Sequence, residues 1–159
     1  MHTFSDDRGH SFMSIFDHLE EFEGQFNASV MHSGAVKAWR RHFNQDDHWV
    51  VMSGNLTIGL HNSTNVPMTA HLRLATTVPN QERKVQLTIE PDSGTAVFLG
   101  EHQPGILHIP AGLWHGGVAV GGDALLLYYV TRKYNPARPD EERKAWDAFS
   151  NFKWGVEHH

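Results

Sequence analysis

Between Gly34 and Gly54, in the stretch GAVKAWRRHFNQDDHWVVMSG, three side chains stand where they could do chemistry together: Arg40, His42 and Asp47. Five residues separate Gly34 from Arg40, one separates Arg40 from His42, four separate His42 from Asp47, and six lead on to Gly54. An imidazole can take and return a proton near neutral pH, and a carboxylate can orient or charge it. A guanidinium can hold an oxyanion but has no lone pair for a metal and no usable acid form. A metal set of two histidines and a carboxylate on this spacing is therefore broken at Arg40. A second segment, IPAGLWHGG at 109–117, places His115 just after a Pro-Ala-Gly turn. His42, Asp47 and His115 remain open as a three-point metal site, since imidazole and carboxylate suit iron, manganese, nickel or zinc.

The elements that must position these groups read as strands. NLTIGL, HLRLATTV, KVQLTI, TAVFL, GILHI and ALLLYYV are short β-branched or aromatic runs separated by Gly, Pro, Asn and Asp. The Gly34–Gly54 stretch reads as a strand pair, and side chains two apart on a strand share a face, so Arg40 and His42 should project together. The stretch 61–83 reads as a long hairpin. Two helices are expected, one over 14–21 and one over 139–149, the latter starting at a proline with acidic residues in its first turn. Many short strands with turn signals indicate an antiparallel barrel or sandwich. Trp39, Trp49 and Trp114 are expected in its walls or core, and His48, His102 and His108 as ordinary strand or loop histidines.

Composition narrows the field of functions. A chain of 159 residues with 40% hydrophobic content is expected to be one domain, 1–159, with a real core. A net charge of −5 offers no basic stripe for nucleic acid. There is no cysteine, which excludes disulfides and thiolate chemistry and is compatible with a reducing cytoplasm. No signal-peptide pattern opens the chain and no apolar run is long enough to span a bilayer, so a soluble cytoplasmic protein without a membrane partner is expected. Of the thirteen histidines, His158 and His159 are set aside as a possible tag remnant.

Five segments in order carry a resemblance. DDRGHSF at 6–12, QFNASVMHSGAVKAW at 25–39, HIPAGLWHGG at 108–117, LLYYVTRKYNP at 126–136 and EERKAWD at 141–147 are together similar to the dTDP-4-dehydrorhamnose 3,5-epimerase family. The resemblance implies an all-β cupin, a double-stranded β-helix or jelly-roll barrel with short flanking helices, and a homodimer. It also implies proton exchange beside the ketone of a nucleotide-linked 4-keto-6-deoxysugar, with no metal and no redox cofactor. In that family a histidine is the base and a tyrosine the acid; Tyr128 and Tyr134 match tyrosine positions, His115 matches the turn histidine, and the base position falls on Arg40. The expectation is then that His42 takes the base role, Asp47 orients or charges it, and Arg40 holds the enolate oxygen or an anionic group. Resemblance also assigns Arg8, Gln25 and Asn27 to the base and phosphates, with Phe12 stacking or packing beside them, and Lys37 matches a family arginine, although strand parity puts it on the face opposite Arg40. Two other readings stand beside this one: a metal-dependent cupin enzyme using His42, Asp47 and His115, and a non-catalytic cupin that binds a sugar nucleotide.

Overall fold

From Gln25 to Val130 the chain runs as ten strands separated by turns and short loops, as its β-branched runs require. The computed structural model describes residues 1–155, apart from the side chain of His10. His158 and His159 lie outside the described residues. The strands are β1 (His2–Asp6), β2 (Gly9–Met13), β3 (Gln25–Met31), β4 (Val36–Arg41), β5 (Asp47–Ser53), β6 (Asn55–Asn62), β7 (Met68–Leu74), β8 (Arg83–Ile89), β9 (Ser93–Gly100), β10 (Gly105–Ile109), β11 (Trp114–Ala119), β12 (Ala124–Val130) and β13 (Glu142–Arg143). β1 and β2 form a hairpin. The rest build a six-stranded sheet in the order β3-β12-β5-β10-β7-β8 and a five-stranded sheet in the order β13-β4-β11-β6-β9. All ladder pairs within these sheets are antiparallel, which is the jelly-roll arrangement. No helix among the described residues is long and apolar enough to cross a membrane.

Strand alternation distributes the apolar side chains over three layers. Between the sheets, Trp49, Val51, Leu107, Ile109 and Leu126 meet Leu56, Ile58, Leu60, Val97 and Leu99. Outside the six-stranded sheet, Phe16 plugs a cluster with Val50, Ile106 and Tyr129. Outside the five-stranded sheet, Trp39, Trp114, Val118 and Trp154 pack with Phe149 and Phe152. All three expected tryptophans are therefore buried: Trp49 between the sheets, Trp39 and Trp114 under the C-terminal segment.

Neither expected helix forms among the described residues. Residues 14–19 make tight turns, with Ser14 at φ 56° and Phe16 at φ 65°, because burying Phe16 under the sheet outweighs local helix preference. Over 139–149 tertiary pairing wins. Glu142 and Arg143 pair with Arg41 and Arg40 of β4. Lys144 and Trp39 then exchange backbone hydrogen bonds of 2.9 and 3.0 Å. The acidic first turn that suggests a helix start instead faces β4 as an extended strap.

Two further expectations need correction. β4 and β5 are successive strands but belong to different sheets, so they face each other across the barrel rather than pairing. The 61–83 stretch holds the end of β6, a crossing loop and the first arm of the β7–β8 hairpin. Lys37 also departs from strict parity. His115 pairs with Arg40 and Gly117 with Lys37, so three steps on β4 oppose two on β11. This bulge adds one residue, Ala38 and Trp39 both turn outward, and Lys37 lands on the same inner side as Arg40. The Ala38–Trp39 peptide bond within it is cis. β11 accommodates the bulge with Gly116, where a Cβ would sit 2.4 Å from the Cβ of Ala38.

Candidate active site

Asp47 opens β5 and points into the barrel, where it is 3% exposed. The Trp49 indole, two residues on and so on the same face, donates from Nε1 to Oδ2 at 3.0 Å, and Gln45 Nε2 donates to Oδ1 at 3.1 Å. Two imidazoles flank the carboxylate: His42 Nε2 lies 3.7 Å from Oδ1 and His115 Nε2 3.6 Å from Oδ2. Both separations exceed hydrogen-bond length, so the coupling is through charge. Burial by itself would raise the Asp47 carboxyl, but His115, His42 and the Trp49 N–H outweigh it and hold the group down at about 2. It is a fixed anion at any working pH.

Each imidazole is oriented by a backbone carbonyl. His42 Nδ1 lies 2.6 Å from the Asp140 carbonyl oxygen and His115 Nδ1 3.0 Å from that of Leu113. A carbonyl only accepts, so both Nδ1 atoms carry hydrogen and both Nε2 atoms are left to gain or lose the working proton. His115 Nε2 is buried with no hydrogen-bond partner. The turn that delivers His115 depends on Gly112, at φ 92°, whose N–H donates to the His42 carbonyl at 2.7 Å. That bond ties the two histidine segments together.

This triad stands where two lobes of a cleft meet. The larger, about 1360 Å³, takes in His42, Gln25, Asn27, Tyr134 and a group of cations: Arg40, Arg132, Lys133, Arg138 and Arg143. The smaller, about 440 Å³, takes in His115, Trp49, Ser29, Met31, Lys37 and Leu126. Asp47, Arg40, Tyr128 and Arg143 line both. Arg40 and His42 thus share the larger lobe, with the Arg40 Nε 2.8 Å from Glu141 Oε1. Glu141 also binds Arg143, and although burial opposes it, these partners hold its carboxyl below the usual range. Tyr128 is half-buried and desolvation raises its hydroxyl pKa, so it stays protonated at neutral pH. Tyr134 sits at the rim, 61% exposed, its N–H donating to Gln25 Oε1 at 2.8 Å.

The N-terminal hairpin is elsewhere. Arg8 is exposed and held by Asp6, with Nε 3.0 Å from Oδ2. Neither Arg8 nor Phe12 lines either lobe of the cleft. Lys37 donates from Nζ to Ser29 Oγ and the Val30 carbonyl, both at 3.2 Å, at the edge of the smaller lobe. Sequence reasoning missed the strap: Asp140 accepts from the backbone N–H groups of Phe43, Asn44 and Gln45 at 2.9, 2.9 and 3.0 Å, and its own carbonyl fixes His42. The acidic cluster around Asp140 is the signal the sequence offers, and by local rules it resembles a helix start.

No protein-family model matches the sequence. Over 162 residues the chain is 31% identical to a spore coat polysaccharide biosynthesis protein of Bacillus subtilis (strain 168), covering 96% of this chain and 90% of the relative. It is 30% identical over 161 residues to a probable low-salt glycan biosynthesis epimerase of Haloferax volcanii, covering 98% of this chain and 90% of the relative. In fold it is similar to a dTDP sugar isomerase from Desulfovibrio desulfuricans G20, with a TM-score of 0.68, 23% identity, and coverage of 98% of this chain and 88% of that one.

Proposed function

Because the chain belongs to the dTDP-4-dehydrorhamnose 3,5-epimerase-like family of sugar-biosynthesis epimerases, we propose that it epimerises a nucleotide-linked 4-keto-6-deoxysugar by moving a proton on a carbon next to the ketone. The observation that carries this reading is the buried Asp47 anion between two imidazoles whose Nδ1 atoms are both committed to backbone carbonyls. A neutral His42 offers its Nε2 lone pair to the substrate C–H. The proton it gains then faces Asp47, and the resulting imidazolium is stabilised by the carboxylate. Electron density from the broken C–H bond moves to the ketone oxygen, and the Arg40 guanidinium is the cation placed to hold that oxygen. Tyr128, protonated and lining both lobes, returns a proton to the opposite face. The cations of the larger lobe suit a diphosphate, for which arginine offers paired donors. Gln25 and Asn27 offer amide groups to a base edge.

The test uses dTDP-4-keto-6-deoxyglucose in D₂O. The wild-type protein should introduce deuterium beside the ketone and His42→Ala should not. Exchange that survives unchanged in His42→Ala sinks the assignment of His42 as base.

One observation favours a second use of the same residues. Ligand atoms of His42, Asp47 and His115 lie within 4.8 Å of one another, and each Nδ1–H is held by a carbonyl as in histidines that bind metal through Nε2. Those three residues would hold a divalent ion, which would supply Lewis acidity at the ketone. Exchange that survives exhaustive chelation rules out that use, and exchange that stops on chelation in the wild type and in His71→Ala alike supports it.

We further propose a cytoplasmic homodimer. β3 is an edge strand, and Phe22, Phe26 and Val30 on and beside it are exposed at 48%, 52% and 55%. Such an edge is protected by pairing. In a dimer Arg8 and Phe12 could serve the partner's cleft, and light scattering on the purified protein should return twice the chain mass.

A further inference from the structure

The outer face of the six-stranded sheet carries histidines that the proposed reaction leaves unused. Asp47 points inward, so its neighbour His48 points outward. Strand pairing then sets His48 opposite His108 of β10, and His108 opposite His71 of β7. The His48 and His108 rings stack with centroids 4.7 Å apart at 19°, and the His108 and His71 rings at 5.6 Å and 23°. His18, from the turns over 14–19, leans on His48 at 5.8 Å.

Hydrogen bonding decides which nitrogens are free. Asp46 Oδ2 lies 2.8 Å from His108 Nε2, while Asp46 Oδ1 is fixed by the Ala111 N–H at 2.9 Å. A carboxylate oxygen accepts, so His108 Nε2 carries the hydrogen. The lone pair of a neutral His108 is therefore on Nδ1, and Nδ1 of His71 lies 3.4 Å from it. Two imidazole nitrogens bound to one tetrahedral ion at about 2.0–2.1 Å lie about 3.4 Å apart. His48, 6% exposed, has a buried Nδ1 with no hydrogen-bond partner. These four histidines line one cavity of about 560 Å³. Of the cations lining it, Arg73 is already paired with Glu82.

We propose that His71 and His108 hold a divalent transition ion of the zinc type through their Nδ1 atoms, with Asp46 orienting His108 and His48 as the next nitrogen along the row. A carboxylate behind a metal-binding histidine fixes its tautomer and raises its basicity, which is the relation of Asp46 to His108. The ion would sit on the opposite side of the sheet from Asp47. It would clip β7 to β10 beside the β7–β8 hairpin that ends the sheet.

The experiment isolates this site from the Asp47 centre and from the terminal histidines. Full-length protein carrying His42→Ala, His158→Ala and His159→Ala is stripped with chelator and titrated with Co²⁺, followed by visible absorbance. One equivalent should bind with a tetrahedral spectrum. Adding His71→Ala should weaken binding by more than about tenfold, and Asp46→Asn by about ten- to a hundredfold. Since His71 is exposed, its replacement should leave the far-ultraviolet circular dichroism unchanged. Zn²⁺ should raise the unfolding temperature of the parent and not of the His71→Ala protein. No binding in the parent, or binding indifferent to His71→Ala, overturns the proposal.

Discussion

Replacing Asp47 by Asn removes the charge between the two imidazoles with little change of shape. In the folded protein the carboxyl sits at about 2, against 3.8 for the free group. One unit is worth about 1.36 kcal/mol, so the ionised form gains about 2 kcal/mol from the fold. Because the folded value lies below the unfolded one, this stabilisation is complete above about pH 4 and is lost as pH falls through about 2. About 1 kcal/mol of it should be gone by pH 3. Urea unfolding followed by tryptophan fluorescence at pH 7, 4, 3 and 2 supplies the measurement, and Trp49, bonded to Asp47, is a local reporter. The stability gap between wild type and Asp47→Asn should shrink by about 2 kcal/mol between pH 7 and pH 2, while the other carboxylates contribute to both proteins and cancel. A gap that stays constant with pH would refute the claim that Asp47 is a buried anion sustained by its imidazole and indole neighbours.

Arg40→Ala removes the cation assigned to the enolate oxygen and should lower kcat by about 10²–10³; steady-state kinetics showing only a raised KM would move Arg40 to substrate binding. Tyr128→Phe should still exchange substrate hydrogen for deuterium but form epimer about 10²–10⁴ more slowly, read by NMR of the sugar. Gly116→Ala places a Cβ 2.4 Å from that of Ala38 and should destabilise the protein by about 1–3 kcal/mol in urea melts, with a normal melt excluding the tight β4–β11 approach.

The strands were legible because their signals are local. ALLLYYV and GILHI sit between turn residues and fold as β12 and β10. The common inward face of Arg40 and His42 also followed from two-residue alternation, because that step lies beyond the bulge. Lys37 was misplaced because a bulge is set by the partner strand: only Gly116, facing it from β11, makes room. The acidic strap was misread for a similar reason. Its proline and carboxylates satisfy every local rule for a helix start, but Asp140 caps the backbone of residues 43–45 instead. Tyr128 and Tyr134 could not be ranked without knowing that one lies inside the cleft and the other at its rim.

The bond from His42 to the Asp140 carbonyl spans 98 residues of sequence. Strands β4 through β12 are therefore all synthesised before the carbonyl that orients the proposed base. Orientation of the imidazole waits for the last segment to dock. Long-range closures of this kind come late in assembly. A protease that nicks the strap should then lower turnover, read by steady-state kinetics of the cut protein, because one segment carries both the carbonyl that orients His42 and the Arg138 and Arg143 side chains of the cleft.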